Sequence, residues 1–156
     1  MTEAVARRPA GGLGDLLDVN VWLALAIEEH PHHEAALAYW SDAAATSRFF
    51  CRTSAMSLVR LLMHPKLMAG RALSMARAWT AYRGFAALPG VAMLTEPDGL
   101  DDDLGALVQS RLPARLFTDA YFAVFARRAG VRLVTFDKDF ARFEALPMLR
   151  LPAGAR

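Results

Sequence analysis

The chain has 156 residues, 54% of them hydrophobic and 22% charged. That fits one globular domain with a sizeable core and excludes a disordered or fibrous protein. A net charge of +2 and a pI near 9.0 permit a nucleic-acid partner without arguing for one.

Every basic residue except Lys66 and Lys138 is arginine. Arginine suits bidentate phosphate contacts, but most of these arginines read as the mark of an Ala- and Arg-rich composition. Cys51 is the single cysteine, so no internal disulfide framework exists. The opening residues lack the apolar stretch of a signal peptide. The longest apolar run, Val21 to Ile27, falls far short of the roughly 20 residues a membrane helix needs. The expectation is a soluble, cytoplasmic protein.

In chain order, residues 1–14 read as a flexible arm, with Arg7-Arg8-Pro9 and Gly11-Gly12 giving no core-forming face. Asp15 to Asp18 reads as a buried first strand, apolar on both faces through Leu16 and Leu17. Asn20 to Ile27 predicts a helix, Pro31 breaks it, and a second helix runs from His32 through Trp40. Arg48 to Arg52 is a second strand. Thr53 or Ser54 then caps a third helix that His64-Pro65 ends. After a linker, Arg71 to Ala87 predicts a helix with Leu73, Ala76, Trp79 and Arg83 near one face. Val91 to Leu94 is a third strand. Asp98 to Asp103 opens a helix through Ser110, and Arg111 to Arg115 is a loop. A helix after Thr118 stops at Gly130. Arg132 to Thr135 is the fourth strand, followed by a short helix, Phe140 to Ala145, and a last strand, Met148 to Leu151.

Strands alternating with helices predict an α/β fold: a three-layer α/β/α sandwich on a mostly parallel five-stranded sheet. Residues 15–156 then form one domain. Ligands bind such sheets at the carboxyl ends of the strands, where strand order reverses. Asp18 ends the first strand, Asp119 opens an apolar helix, and Asp137 and Asp139 follow the fourth strand. Each alone has an ordinary structural reading. Asp18 suits a helix cap, Asp119 suits the helix dipole, and Asp137 and Asp139 suit an Asx turn. Together they place acids after strands that could be adjacent, with one at a helix start aimed the same way, and carboxylates so gathered repel unless a hard cation such as Mg²⁺ or Mn²⁺ is present.

Four segments in this order resemble a PIN-domain ribonuclease, most closely the VapC toxins of VapBC toxin–antitoxin pairs. They are Leu16-Leu17-Asp18-Val19-Asn20, then His30-Pro31-His32-His33 with Ala36 and Trp40, then Thr118-Asp119-Ala120-Tyr121, then Thr135-Phe136-Asp137-Lys138-Asp139-Phe140. The resemblance implies a Mg²⁺-dependent endoribonuclease acting on tRNA or other structured RNA. It also implies a VapB-like antitoxin as partner and a homodimer, with no membrane association. It implies that Asp18, Asp119 and Asp137 hold the metal and that Asp139 assists. One departure stands out. The family carries a further acid early in the third helix, where this chain has Ala55; Arg60, the position used in other branches, cannot serve either.

Asn20, Thr118, Thr135, Arg111 and Arg115 are candidates for orienting ligands or meeting RNA phosphate, with capping and solvated-loop roles as the alternatives. His30, His32 and His33 flank Pro31 without zinc spacing and read as surface residues. Cys51 reads as inert core. Large apolar side chains before Pro31 and after His32 argue for an interface. A second reading, motivated by Ala55, is a catalytically degenerate PIN-like module that binds RNA or a protein partner. A receiver-like domain is a third reading and the weakest, because no suitable phosphoacceptor Asp directly follows the third strand, which runs into Leu94-Thr95-Glu96-Pro97.

Overall fold

The computed structural model describes residues 13–42 and 46–154. Residues 1–12 of the expected arm lie outside that range. Its last two residues are bonded to the sheet's start: Leu13 N–H reaches the Gly130 carbonyl (3.2 Å) and Arg132 N–H reaches that of Gly14 (3.0 Å). Position 14 has to be glycine. Its φ is 146°, and a Cβ would come within 2.5 Å of the Ser47 carbonyl oxygen.

The strands are β1 (Asp15–Leu17), β2 (Arg48–Phe50), β3 (Val91–Met93), β4 (Arg132–Thr135) and β5 (Met148–Arg150). All neighbours pair in parallel, in the order β3-β2-β1-β4-β5. The helices are α1 (Val19–Ala26), α2 (His33–Asp42), α3 (Arg52–Leu62), α4 (Met75–Ala86), α5 (Leu100–Val108) and α6 (Phe117–Ala129). Short 3-10 turns cover Ala114–Leu116 and Lys138–Arg142.

Successive strand residues point to opposite faces, and this divides the core in two. Leu16, Phe49 and Leu133 join Phe122, Val124 and Phe125 of α6 on one face. Leu17, Phe50 and Val134 join Val21, Trp22, Leu58 and Leu62 of α1 and α3 on the other. The result is the expected three-layer sandwich. Trp22 lies flat on Phe50, with ring centroids 3.8 Å apart and planes at 9°, and meets Trp40 and Phe85 edge-on.

Several expected details differ. The third helix starts at Arg52 because Ser54 acts from its first turn: Ser54 Oγ accepts the Cys51 N–H (3.0 Å) and donates to the Cys51 carbonyl (3.0 Å). The fourth helix starts at Met75 because Ser74 Oγ accepts the Arg77 N–H. Its buried residues are Ala78 and Tyr82, one turn apart, while Ala76, Trp79 and Arg83 are exposed. The expected helix at 140–145 is the 3-10 turn of Lys138–Arg142. The large side chains of α1 (Val21, Trp22, Leu23) face the core, so they offer no surface to a partner.

At the amino-terminal ends of β1 and β4, Asp15 is buried and fully paired. Arg132 holds both its oxygens at 2.8 Å, and the Tyr39 hydroxyl donates to it at 2.7 Å. This ties α2 to the sheet at the edge opposite the acids singled out above.

Candidate active site

Strand order reverses between β1 and β4. From β1 the chain crosses to β2 on one side; from β4 it crosses to β5 on the other. The carboxyl ends of these two strands therefore border the crevice in which parallel sheets bind ligands.

Asp18 follows β1 and continues its pairing, its N–H reaching the Val134 carbonyl at 2.9 Å. It occupies the N-cap position of α1, yet its side chain makes no capping hydrogen bond to the N–H groups further into the helix. Instead its Oδ2 accepts the Thr135 hydroxyl at 2.8 Å. Asp18 is only 5% exposed. Burial is the main cause pushing its carboxyl up to about 6, and the charges of Asp119 and Asp137 add to it against the hydrogen bonds from Thr135 and the Val19 N–H.

Asp119 sits in the first turn of α6. A carboxylate that only complemented the helix dipole would be held low. Burial, followed by repulsion from Asp137 and Asp139, pushes it up to about 6. Asp137 makes the Asx turn expected of it, Oδ1 accepting the Asp139 N–H at 2.8 Å, while its own N–H donates to Thr135 Oγ1 at 3.0 Å. Thr135, fully buried, thus links Asp18 to Asp137 through one hydroxyl. Asp139 is paired with Arg115 (2.7 Å), and that guanidinium holds its carboxyl below the usual range. Arg115 also feels the charges of Asp119 and Asp137.

The structure therefore brings Asp18, Asp119, Asp137, Asp139, Thr135 and Arg115 to one edge. Asn20 lies beside Asp137, both lining one cavity. Thr118 and Arg111 are exposed and stand outside the hydrogen bonds around the acids among the described residues. As they stand, no three acidic, histidine or cysteine side chains close on a common point among the described residues. Ala55 is 1% exposed and packed with Leu17, Trp22 and Leu58, so no acid of α3 joins the cluster from that position. Cys51 is buried core, its thiol pushed up by burial.

Sequence reasoning missed two features. Arg115 and Asp139 were separable as candidates but not as a pair. The histidines are not free at the surface: His33 Nδ1 lies 2.7 Å from the Ala24 carbonyl, and His32 stacks on Phe136. The spacing His30-Pro31-His32-His33 was the available signal.

A family model for the PIN domain matches residues 16–146. The chain belongs to the PIN-domain family. Among curated relatives, Ribonuclease VapC41 of Mycobacterium tuberculosis is 36% identical over 140 residues, covering 85% of this PIN domain's chain and 95% of that protein. Ribonuclease VapC38 of the same species is 38% identical over 124 residues, covering 78% and 84%. Among solved structures, VapC20 of Mycobacterium tuberculosis, described as a toxin cleaving the sarcin-ricin loop, superposes with a TM-score of 0.60 at 19% identity, over 81% of this chain and 92% of that one. VapBC2 of Rickettsia felis, bound to a DNA fragment from its promoter, gives 0.67 at 12% identity, over 88% and 98%. At those identities the two structures speak for the fold alone. No helix of the PIN domain is long and apolar enough to cross a membrane among the described residues.

Proposed function

We propose that this PIN domain is the ribonuclease toxin of a toxin–antitoxin pair. It would hydrolyse phosphodiester bonds of tRNA or other structured RNA with Mg²⁺ or Mn²⁺, restrained by a small VapB-like antitoxin. The observation that carries the reading is the gathering of Asp18, Asp119 and Asp137 at the switch point, with two of the three pushed up to about 6. Burial first, and one another's charge second, make the ionised forms of Asp18 and Asp119 unfavourable unless a cation joins them. Three oxygen donors of this kind suit Mg²⁺ or Mn²⁺, which keep part of their water shell and need no closed protein cage. The donor set therefore fits the metal.

Asp18, Asp119 and Asp137 would hold the ion. Bound there, it would lower the pKa of coordinated water and polarise a phosphoryl oxygen. The remaining work falls to side chains already in place. Thr135 fixes the rotamer of Asp18 and the backbone of Asp137 together. Arg115, drawn to the acids by Asp139, supplies a positive charge at the rim for an RNA phosphate. Asp139, screened by Arg115, stays ionised and adds to the negative field that retains the cation.

The test is incubation of purified protein with total tRNA in Mn²⁺ and in EDTA, together with induced expression without the antitoxin. Cleavage only with metal, and growth arrest that Asp119→Asn abolishes, is the expected result. Intact RNA in Mn²⁺ with no arrest would replace the reading with a second one, a degenerate binding module. The specific observation favouring that alternative is Ala55, buried where the family carries an acid. A homodimer is part of the first proposal, and light scattering of the purified chain tests it.

A further inference from the structure

Beside the acids lies an open cavity of about 370 Å³, lined by Asn20, His30, Pro31, His32, Phe136 and Asp137, of which the chemistry above uses only Asp137. Ligand pockets run from roughly 300 to 1,000 Å³, so this one suits a single nucleoside rather than a helix of a partner. One wall is aromatic. His32 lies against Phe136 with ring centroids 4.5 Å apart and planes at 19°, and His30 stands 5.5 Å from His32.

The hydrogen bonds around these rings fix their tautomers. His30 Nδ1 accepts the His32 backbone N–H at 3.1 Å, and His32 Nδ1 accepts the Gly154 N–H at 2.8 Å. A ring nitrogen that accepts carries no proton, so each neutral imidazole keeps its hydrogen on Nε2. Burial, then the charges of His32 and His33, hold His30 below the usual imidazole range. The His32 contact depends on glycine at position 154, because a Cβ there would strike the Pro31 carbonyl oxygen. Asn20, exposed in the first turn of α1, adds an amide that both donates and accepts.

We infer that this cavity is a nucleobase subsite, receiving the base next to the phosphodiester that lies at the acids. The inference rests on the ribonuclease reading for its register, and its chemistry is that of single-stranded RNA recognition. Splayed bases stack on aromatic side chains and are read by hydrogen bonds along their edges. Here the His32–Phe136 pair is the stacking surface, and His30 and Asn20 read the edge. With the Asn20 amide turned to donate beside the His30 Nε2–H, the two N–H groups match a base edge with two adjacent acceptors. Guanine has one in O6 and N7, and cytosine has one in O2 and N3. Adenine and uracil alternate donor and acceptor along their edges. The preferred flanking base is therefore guanine or cytosine.

The experiment uses fluorescein-labelled single-stranded RNA oligonucleotides that differ at one position. Their binding is read by anisotropy in EDTA, where nothing is cut, and their cleavage is read in Mn²⁺. The variants are His30→Phe, which keeps a ring without a donor, His30→Gln, which restores one, and Asn20→Ala, with thermal melts to verify folding. Wild type should favour the guanine or cytosine oligonucleotide. His30→Phe and Asn20→Ala should each lose that preference and roughly five- to tenfold in affinity, the scale of one hydrogen bond. The loss should appear in KM rather than kcat, and His30→Gln should recover part of it. Folded His30→Phe and Asn20→Ala that keep wild-type affinity and preference would overturn the inference. So would variants that bind RNA normally but lose a co-purifying small protein, because the cavity would then belong to a protein partner. Base-selective binding that His30→Phe removes, with no cleavage in any metal, would uphold the subsite and sink the nuclease reading. If position 30 proves intolerant, exposed Asn20 carries the test alone.

Discussion

Replacing Asp18 by Asn should change the way stability depends on pH, by an amount the structure sets. The Asp18 carboxyl rises from 3.8 to about 6 on folding, chiefly because it is buried. That is about 2 units, or ~3 kcal/mol between its two protonation states. The sign follows from proton counting. The folded chain binds this proton more tightly than the unfolded chain, so the contribution to stability is fully present below pH 3.8 and is lost as pH rises through about 6. Above that, the metal-free protein holds an ionised, poorly solvated Asp18. Asn carries no such term. Its amide can keep the Thr135 bond but brings an N–H₂ of its own to satisfy, a cost that does not vary with pH. The difference in unfolding free energy between wild type and Asp18→Asn should therefore move by ~2.5 kcal/mol between pH 4 and pH 7.5, in favour of the variant at the higher pH. Urea denaturation in EDTA across that range measures it. Adding Mn²⁺ at 100 times its Kd should restore about 2.7 kcal/mol to wild type and nothing to the variant. Parallel pH profiles for the two proteins would refute the assignment of a raised Asp18, and equal Mn²⁺ stabilisation would remove it from the metal site.

Thr135→Val removes the hydroxyl that serves Asp18 and Asp137 together, so it should destabilise the fold by ~1–3 kcal/mol and move the acid limb of the pH–rate profile upward, because the hydrogen bond that lowers Asp18 is gone. Ala55→Glu should lower Tm sharply instead of strengthening activity, since position 55 is packed among Leu17, Trp22 and Leu58 and would bury an unpaired carboxylate; a folded and more active variant would contradict this. Arg115→Ala should leave Tm unchanged, because the Asp139 pair is solvent-exposed, while calorimetry shows tighter Mn²⁺ binding and anisotropy shows weaker RNA binding as the rim loses its positive charge.

The sheet was legible in the sequence because both core faces are written into two-residue alternations such as Leu16-Leu17 and Phe49-Phe50. Asp119, Asp137 and Asp18 were legible as candidates because each lies at a strand or helix end. Their joint position was not, since it depends on β4 pairing with β1 and not with β3, and nothing local encodes that choice. Ser54 hid its role because a serine acting from the first turn looks like one at the cap. The α4 face was misread because Trp79 is large and apolar yet exposed, whereas the small Ala78 meets the core. The histidines around Pro31 hid theirs because their partners, Ala24, Phe136 and Gly154, are remote in sequence or backbone atoms that leave no side-chain pattern.

The bond from Thr135 to Asp18 spans 117 residues, and every strand pairing that flanks it is parallel. Contacts of such separation form late, after loop closure over most of the chain. Until β4 is in place, β1 has a partner in β2 and one edge uncovered. Any chemistry that needs Asp18 and Asp137 side by side therefore depends on the last long-range pairing of the sheet's centre, β4 against β1.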